Sequence, residues 1–598
     1  MTILEKNSFT GGRCSLIHNS GHRFDQGPSL LLLPDLFHRT FRELGTTLEK
    51  EGVELRKCEP NYHIWFGDGG RFKLSSDLAV MKGEVEKWEG KEGYARYLDF
   101  LKESGEHYEL SVEHVLLKNF TSVLSMLRPS FLRHLLRLHP FESIWTRASK
   151  YFWTERLRRV FTFGSMYMGM SPFDAPGTYS LLQYTELVEG IWYPVGGFHR
   201  VIEAVEEVGR RKGVDVRLGV AVEEILLSAD GRSARGVRLA GGEVLEADVV
   251  VNNSDLAYAY ANMLPQNNGE AYAKSLSQRP ASCSSISFYW GLSTKVPELE
   301  AHNIFLADEY RESFDSIFKK HLIPDEPSFY VNVPSRVDAS AAPEGRDSVV
   351  VLVPVGHLID SQPGDTSPVP PTSNGSTNGS IANTKTHLST ASLPDQPGHH
   401  PTSSQDWPAM IALARRTILS TIAARTGVDL TPLITVEETN DPLTWRSRFN
   451  LDRGAILGLS HSFFNVLCFR PSTRARRPGQ LDGLFATSGP LGTVVQVLED
   501  AFRSQEEKNI SGLYMVGASA HPGTGVPICL AGGRLVAEQV LGDLGMEVPW
   551  RGEEGVQRSE RLDRIERPVW LDSWAQWVVV LVVLWTLGMG VLGAWVVK

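Results

Sequence analysis

The chain has 598 residues and a formal net charge of -10 at pH 7. This length exceeds one ordinary hydrophobic core, so two or more lobes are expected. The acidic balance and the lack of a basic stripe argue against a nucleic-acid partner. The five cysteines are widely spaced, and no histidines stand at metal-ligand spacing, which is typical of a reducing compartment and predicts no metal site.

The first predicted element is a short strand that ends at Glu5 and leads into the turn TGGRC, residues 10–14. In a dinucleotide-binding domain, an acid that ends a strand binds the ribose hydroxyls. Glycines before an arginine let the backbone approach a ligand closely. Each signal alone is weak, because glycine also forms ordinary turns and the acid could be a surface residue.

The middle of the chain alternates between helical and strand patterns. Residues 122–145 form a basic amphipathic segment, for which lipid contact and a core helix with a solvated basic face both stay open. Apolar spacing then predicts a helix over 201–213, a strand over 214–227 and a second strand over 247–251. This order predicts an α/β fold.

Two stretches look like inserts. Residues 361–406 are rich in Ser, Thr, Pro, Asn and Gly without apolar periodicity, so we expect a disordered loop. Residues 472–509 contain one helix-like run, 494–502, and their role is open. After them, a predicted strand at 513–516 runs into a glycine-rich turn and an apolar helix.

The C-terminal residues 574–597 are apolar and long enough to span a bilayer. A buried core helix is the alternative interpretation. Four arginines precede the segment and one lysine follows it, so the positive-inside rule places the body of the protein in the cytosol, and we expect anchoring in the endoplasmic reticulum membrane.

Six stretches together resemble the bacterial and fungal type of phytoene desaturase, most closely the fungal enzymes. They are LEKNSFTGGRCS, RFDQGPSLLLLP, TFGSMYMGMSPFDAPGTYSLLQY, GIWYPVGGFHRV, ASCSSISFYWGL and VGASAHPGTGVPICLAGGRLVAEQ. The resemblance covers nearly the whole chain from Thr2 to about Pro549, apart from the two inserts. It implies an α/β fold similar to that of flavin amine oxidases, with a discontinuous Rossmann-like FAD lobe and an α+β substrate lobe.

The resemblance also implies cofactor-binding residues. Glu5 matches the ribose-binding acid, and Val222 lies in the strand expected to pass the adenine. The residues that match the phosphate-side turn are Gly11, Gly12 and Arg13. Those that match the flavin-side turn are Gly517, Gly523, Gly525, Val526 and Pro527.

The predicted domains alternate along the chain. The FAD lobe comprises 1–60, 201–260 and 511–545, and the substrate lobe comprises 61–200 and 261–510. A linker, 546–573, precedes the transmembrane helix. In the family a strand, a glycine turn and a helix precede the acid that Glu5 matches, so we expect this unit to be absent from the given chain through a wrong start, with true truncation as the alternative.

The implied activity is FAD-dependent desaturation of phytoene to lycopene or 3,4-didehydrolycopene, with quinone or oxygen as the electron acceptor. NAD is less expected, because no second nucleotide motif is present. Glu155, Arg158 and Asp174 are the candidate acid/base residues, although solvated surface charge is the commoner role for such residues. The alternatives are a carotenoid isomerase, another flavin oxidase of this fold, or a truncated, non-catalytic carotenoid binder.

Overall fold

The computed structural model describes residues 1–120, 125, 134–359, 405–477 and 505–550. The strands of these residues are β1 (Thr2–Glu5), β2 (Leu16–Asn19), β3 (His22–Asp25), β4 (Leu55–Cys58), β5 (Tyr62–Trp65), β6 (Arg71–Leu74), β7 (Ile191–Pro194), β8 (Asp215–Leu218), β9 (Val222–Leu227), β10 (Ala234–Leu239), β11 (Val244–Glu246), β12 (Val250–Asn252), β13 (Ser284–Leu292), β14 (His302–Phe305), β15 (Phe329–Asn332), β16 (Ser348–Val355), β17 (Ile434–Asn440), β18 (Arg474–Arg476) and β19 (Asn509–Met515).

The α-helices of the described residues alternate with these strands. They are α1 (Pro34–Glu43), α2 (Leu78–Ser111), α3 (Ile144–Tyr151), α4 (Glu155–Val160), α5 (Leu181–Tyr184), α6 (His199–Arg211), α7 (Leu256–Tyr258), α8 (Gln266–Ser277), α9 (Tyr310–Phe318), α10 (Trp407–Thr426), α11 (Pro442–Phe449), α12 (Gln505–Lys508) and α13 (Val526–Asp543).

One large mixed sheet has the strand order β17-β13-β16-β15-β14-β5-β6. Its central strands, such as β13 (SSISFYWGL), are buried along their whole length. Apart from its three serines this strand is apolar, as expected of a strand covered on both faces. Helix α10 packs on this sheet through Met410 and Ile418, which share a buried cluster with Phe288 and Val351.

Smaller sheets lie on the cofactor side of the predicted fold. Strand β1 pairs in parallel with β8, and β12 pairs in parallel with β19. Among the described strands, β1 has no partner except β8, and β12 has none except β19. Ile3 of β1 and Val251 of β12 are 41% and 47% exposed. The absent strand-turn-helix unit stays a prediction, as do the domain boundaries.

Most predicted elements of this region form close to their predicted positions. The helix predicted over 201–213 is α6, and the strand predicted over 247–251 is formed by β12 at 250–252. The run predicted as one strand over 214–227 is instead divided into β8 and β9. The division falls at Gly219, whose φ of 71° breaks the extended conformation.

Two expectations differ from the structure. Residues 474–476, at the start of the predicted insert 472–509, form β18 and pair with β19, and Ala475 is fully buried. Much of the amphipathic segment 122–145 lies outside the described residues. Its final part is not one continuous helix, because His139 has a φ of 44° and α3 begins only at Ile144.

No helix in the described ranges combines the length and apolarity needed to cross a bilayer. The predicted span 574–597 lies outside those ranges. The same holds for residues 361–404 of the predicted loop and for the helix-like run 494–502.

Candidate active site

The turn that follows β1 is shaped by its two glycines. Gly11 and Gly12 have φ values of 86° and 53°, in the left-handed region that favours glycine. A side chain at Gly12 would meet no atom within 4 Å, so the backbone of the turn faces open space. A side chain at Gly27 would lie 2.5 Å from the carbonyl oxygen of Arg13. The FDQGPS stretch therefore packs directly against the GGR turn.

Glu5 lies at the end of β1, and one of its carboxylate oxygens is hydrogen-bonded within the protein. Its Oε1 accepts hydrogen bonds from the backbone N and the Nδ2 of Asn7, both at 2.8 Å. No described residue donates to Oε2 of Glu5. This oxygen can accept a hydroxyl donor such as a ribose.

The C-terminal turn leads into an uncapped helix. Gly517, Gly523 and Gly525 have φ values of 117°, 142° and 100°. Gly525 is the N-cap of α13, and no side chain caps this 18-residue helix. The first N–H groups of such a helix and its positive dipole end favour an anion.

The fold joins these turns to the end of β12. Nδ2 of Asn253 donates to the carbonyl oxygen of Val516 at 3.1 Å. Burial and the neighbouring Asp452 raise the pKa of Asp255 to about 6, and the charge of Arg13 opposes this rise. Asp255 also lines a small, partly open pocket with Ser519. Chain segments far apart in sequence thus meet at one site.

Val222 lies apart from the two turns. It begins β9 and packs on a cluster that includes Leu256, Leu513 and Met515. It therefore packs against α7, which follows β12, and against β19, which precedes the C-terminal turn.

The residues of this site fit FAD. A free carboxylate oxygen suits the adenosine ribose, an open glycine turn beside Arg13 suits the diphosphate, and an uncapped helix start suits a negatively charged group. The site residues predicted from the sequence stay predictions, but the structure brings the two glycine turns to a common site.

Comparison with known proteins places this site in a family. The family described as flavin containing amine oxidoreductase matches residues 1–359. The chain is 70% identical over 590 residues to a phytoene desaturase of Cercospora nicotianae, covering 98% of this chain and 93% of that protein. It is 52% identical over 573 residues to a phytoene desaturase of Neurospora crassa, covering 94% and 84%. The chain belongs to the phytoene desaturase family.

The solved structures agree on the fold of this desaturase family member. A triple mutant of putrescine oxidase superposes with a TM-score of 0.50 at 14% identity, covering 90% of this chain and 93% of that chain. This likeness shows the fold alone. The resemblance and the α/β flavin amine oxidase-like fold predicted from the sequence are confirmed, and FAD is the cofactor.

The three acid/base candidates lie within residues 61–200, which the sequence assigns to the substrate lobe. Glu155 is exposed and pairs with Arg159 at 2.6 Å. Arg158 donates from Nε to the carbonyl oxygen of Phe152 at 2.8 Å, and Asp174 is exposed. Among the described residues, no hydrogen bond or ion pair joins any of the three to the glycine turns. Their catalytic role stays a prediction.

Sequence reasoning missed a buried carboxyl in the predicted substrate lobe. Glu186 is 2% exposed, and the hydroxyl of Tyr62 donates to its Oε1 at 2.9 Å. Burial raises its pKa to about 8, although the hydrogen bond from Tyr62 opposes the rise. This group can take up or release a proton near neutral pH. The one signal in the sequence is a single acid between the leucines of the stretch SLLQYTELV.

One group of the described residues has the residue types of a metal site, namely Glu103, His107 and His139. Arg147 already occupies both oxygens of Glu103, with its Nε donating to Oε1 at 3.0 Å and its Nη2 donating to Oε2. Nδ1 of His107 contacts the hydroxyl of Ser180 at 2.7 Å. A cation would have to displace the guanidinium, so this group is better explained as an ion-pair network.

Proposed function

We propose that this chain catalyses the FAD-dependent desaturation of phytoene, in successive steps, to lycopene or 3,4-didehydrolycopene. The observation that carries this proposal is a continuous apolar cluster next to the cofactor site. Ile528, in the first turn of α13, belongs to the same buried cluster as Phe163, Leu182 and Leu187 of the substrate lobe. A long apolar polyene requires such walls beside its reaction centre.

Desaturation removes two hydrogens from neighbouring carbons. FAD, when bound, supplies the hydride acceptor that no side chain can provide. Glu5 and the turn at Gly11, Gly12 and Arg13 would hold its adenosine and diphosphate, and the turn from Gly523 to Pro527 would hold its flavin side. The apolar cluster excludes water from the reacting carbons.

The second hydrogen leaves as a proton and needs a base. Glu186 is the described carboxyl best suited to this role, because it is buried among apolar residues and its pKa is about 8. Its ionised fraction rises with pH through this value. Conversion should therefore rise between pH 7 and pH 8 if Glu186 accepts the proton.

Pigment analysis of phytoene-accumulating bacteria tests the activity. Expression of this chain should convert colourless phytoene into visible carotenoids, each step lowering the mass by two hydrogens, and chromatography would count the steps. Phytoene alone, in cells that contain the flavin-loaded protein, would contradict the proposal. A change of retention without a change of mass would instead indicate an isomerase.

We further propose that a quinone or oxygen reoxidises the bound flavin. Rapid mixing of the reduced protein with a soluble quinone under nitrogen, and separately with oxygen, would measure both rates. The faster reaction identifies the acceptor. Failure of both would contradict this proposal without bearing on desaturation itself.

Membrane attachment is also proposed, with residues 574–597 as a single span and the body on the cytosolic side of the endoplasmic reticulum. The apolar length of this segment and the four preceding arginines support it. Removal of residues 574–598 should move the protein from alkali-washed membranes to the soluble fraction. A truncated protein that stays with the membranes would show that other residues suffice for attachment.

A further inference from the structure

Arg470 is an arginine buried beside the C-terminal turn. Its side chain is among the largest of the fully buried ones, with a residue exposure of 2%. Every N–H group of its guanidinium donates to a backbone carbonyl: Nε to Ala520 at 3.0 Å, Nη1 to Asn465 at 2.8 Å and Ser460 at 3.2 Å, and Nη2 to Leu459 at 3.4 Å and to Ala518. These bonds tie residues 459–465 to residues 518–520.

No carboxylate balances this charge among the described residues. The charged or ionisable groups that act on Arg470 are Tyr179, Cys529 and Arg279, and none of them is a carboxylate. Burial is the main cause that lowers its pKa to about 10, so the guanidinium remains charged at neutral pH. A buried charge without a counter-ion is strongly unfavourable, and it is retained where another group compensates it.

The charge lies against the turn assigned to the flavin side. A methyl group at Gly523 would lie 2.6 Å from Nε2 of His461 and 3.7 Å from Cζ of Arg470. The backbone N of Thr524 donates to that Nε2 at 3.2 Å, so the ring is an acceptor there. Burial and Arg470 hold the pKa of His461 well below its ordinary value, which leaves it neutral.

A second source of positive potential meets the same turn. Helix α13 starts at Val526, directly after Gly525, without a side-chain cap. Its dipole therefore adds to the charge of Arg470. Both features favour negative charge at the position where the turn meets its ligand.

We propose that Arg470 positions this turn and that its charge stabilises the negative charge of the bound flavin after reduction. Two-electron reduction of a flavin, with uptake of one proton, adds one net negative charge. A fixed cation nearby raises the reduction potential and so favours hydride uptake. The inference rests on the proposed function only in that FAD occupies this site.

The test compares three variants of the full-length, flavin-loaded protein. Arg470→Gln removes the charge, and Arg470→Lys keeps the charge but loses the planar donors. Arg425→Gln is the matched control, because Arg425 also donates to carbonyls, those of Trp65 at 3.0 Å and Leu306 at 2.7 Å, but belongs to the large sheet and α10. The readouts are the flavin reduction potential and the thermal midpoint of unfolding.

We expect Arg470→Gln to lower the reduction equilibrium constant tenfold or more, equal to about 30 mV for a two-electron couple. Arg470→Lys should keep most of the potential while unfolding at a lower temperature. Arg425→Gln should lower the thermal midpoint alone. The electrostatic role would be overturned if Arg470→Gln kept the reduction potential of the unaltered protein. It would also be overturned if Arg470→Lys lowered that potential as much as Arg470→Gln does.

The unaltered holoenzyme gives a second test if Arg470→Gln does not fold. Its reduced flavin should keep the absorbance of the anion at pH values where free reduced flavin takes up a proton. A protonation curve like that of free flavin would overturn the inference. Phytoene conversion is measured separately, so loss of the proposed activity with a normal anionic flavin would contradict only the proposed function.

Discussion

Glu186 shows how one buried side chain can couple stability to pH. Its pKa in the folded protein is raised to about 8, above the ordinary value of a glutamate. The stabilisation that comes from keeping it neutral is complete at pH values below the ordinary pKa. It is lost as the pH rises through about 8.

Replacement of Glu186 by Gln should therefore flatten the decline in stability with pH. The thermal midpoint of the unaltered protein should fall more steeply between pH 5 and pH 9 than that of Glu186→Gln, because Gln cannot ionise. Scanning fluorimetry across this range would measure both. Glu155→Gln, at an exposed position, is the control and should keep the steeper profile; parallel curves for all three proteins would contradict the assignment.

Gly523 is the residue at which the C-terminal turn is most sensitive to an added atom. Gly523→Ala would place a methyl group against His461 and displace the ring that accepts from Thr524. We expect a cost of about 1–3 kcal/mol and weaker flavin retention, because the φ of 142° is also unfavourable for alanine.

The matched control is Gly533→Ala, in the exposed middle of α13. A side chain there would meet no atom within 4 Å, so alanine should stabilise the helix by about 0.5–1 kcal/mol. Flavin absorbance after gel filtration and the thermal midpoint would measure both variants. Equal flavin retention by the two would show that the turn does not contact the cofactor.

At the scale of elements, an ion-pair network fastens α3 to α2. Arg147 of α3 bonds Glu103 of α2 and also bonds Oε2 of Glu142 at 3.0 Å through Nη1. Burial opposes ionisation of Glu103, but its bonds to Arg147 outweigh burial and lower the pKa to about 2. The resulting stabilisation is present above the ordinary glutamate pKa and is lost as the pH falls towards 2.

Arg147→Met should cost about 3 kcal/mol at neutral pH, because it leaves the half-buried Glu103 without its cation, whereas Glu142 keeps Lys150 at 3.0 Å. Its control is Arg56→Met, which breaks the exposed pair with Glu54 and should cost less than about 1 kcal/mol. Thermal unfolding at pH 7 would compare them. A similarly small fall in the thermal midpoint for both variants would mean that water screens the ion pairs of Arg147.

Sequence patterns predict the elements that depend only on residues close together in the chain. The apolar spacing of α6 and the glycines at 11, 12, 523 and 525 are visible without any partner, so the helix and both turns were expected. Strand β18 has only three residues, and its partner β19 begins at Asn509, so no local pattern marked it. Glu186 and Arg470 were missed for the same reason, since burial arises from segments distant in sequence.

At the scale of the whole molecule, the two ends of the predicted loop meet. The backbone N of Ile359 donates to Oε1 of Gln405 at 3.1 Å, and Nε2 of Gln405 donates to the carbonyl oxygens of His321 and His357 at 2.7 and 2.8 Å. These bonds close the segment between 359 and 405. We therefore expect the folded body to tolerate a shorter connection between these two residues.

Replacement of residues 361–403 by a short Gly-Ser linker should keep the fold. Each halving of a flexible loop lowers its closure cost by about 0.6 kcal/mol, so the thermal midpoint should stay level or rise slightly. Pigment yield in phytoene-accumulating cells should be unchanged. The matched variant Gln405→Ala should lower the midpoint, and a lower midpoint in the linker variant as well would show that the replaced residues stabilise the body.

The parallel pairing of β12 with β19 has a consequence for how the protein is made. Val250 pairs with Leu513, so the second strand leaves the ribosome long after the first. The strands of the large sheet, from β5 to β17, are all synthesised before β19 and α13. The nascent chain can thus assemble its substrate sheet while the cofactor site is still incomplete. The complete flavin site can therefore form only after β19 and α13 have left the ribosome, late in synthesis.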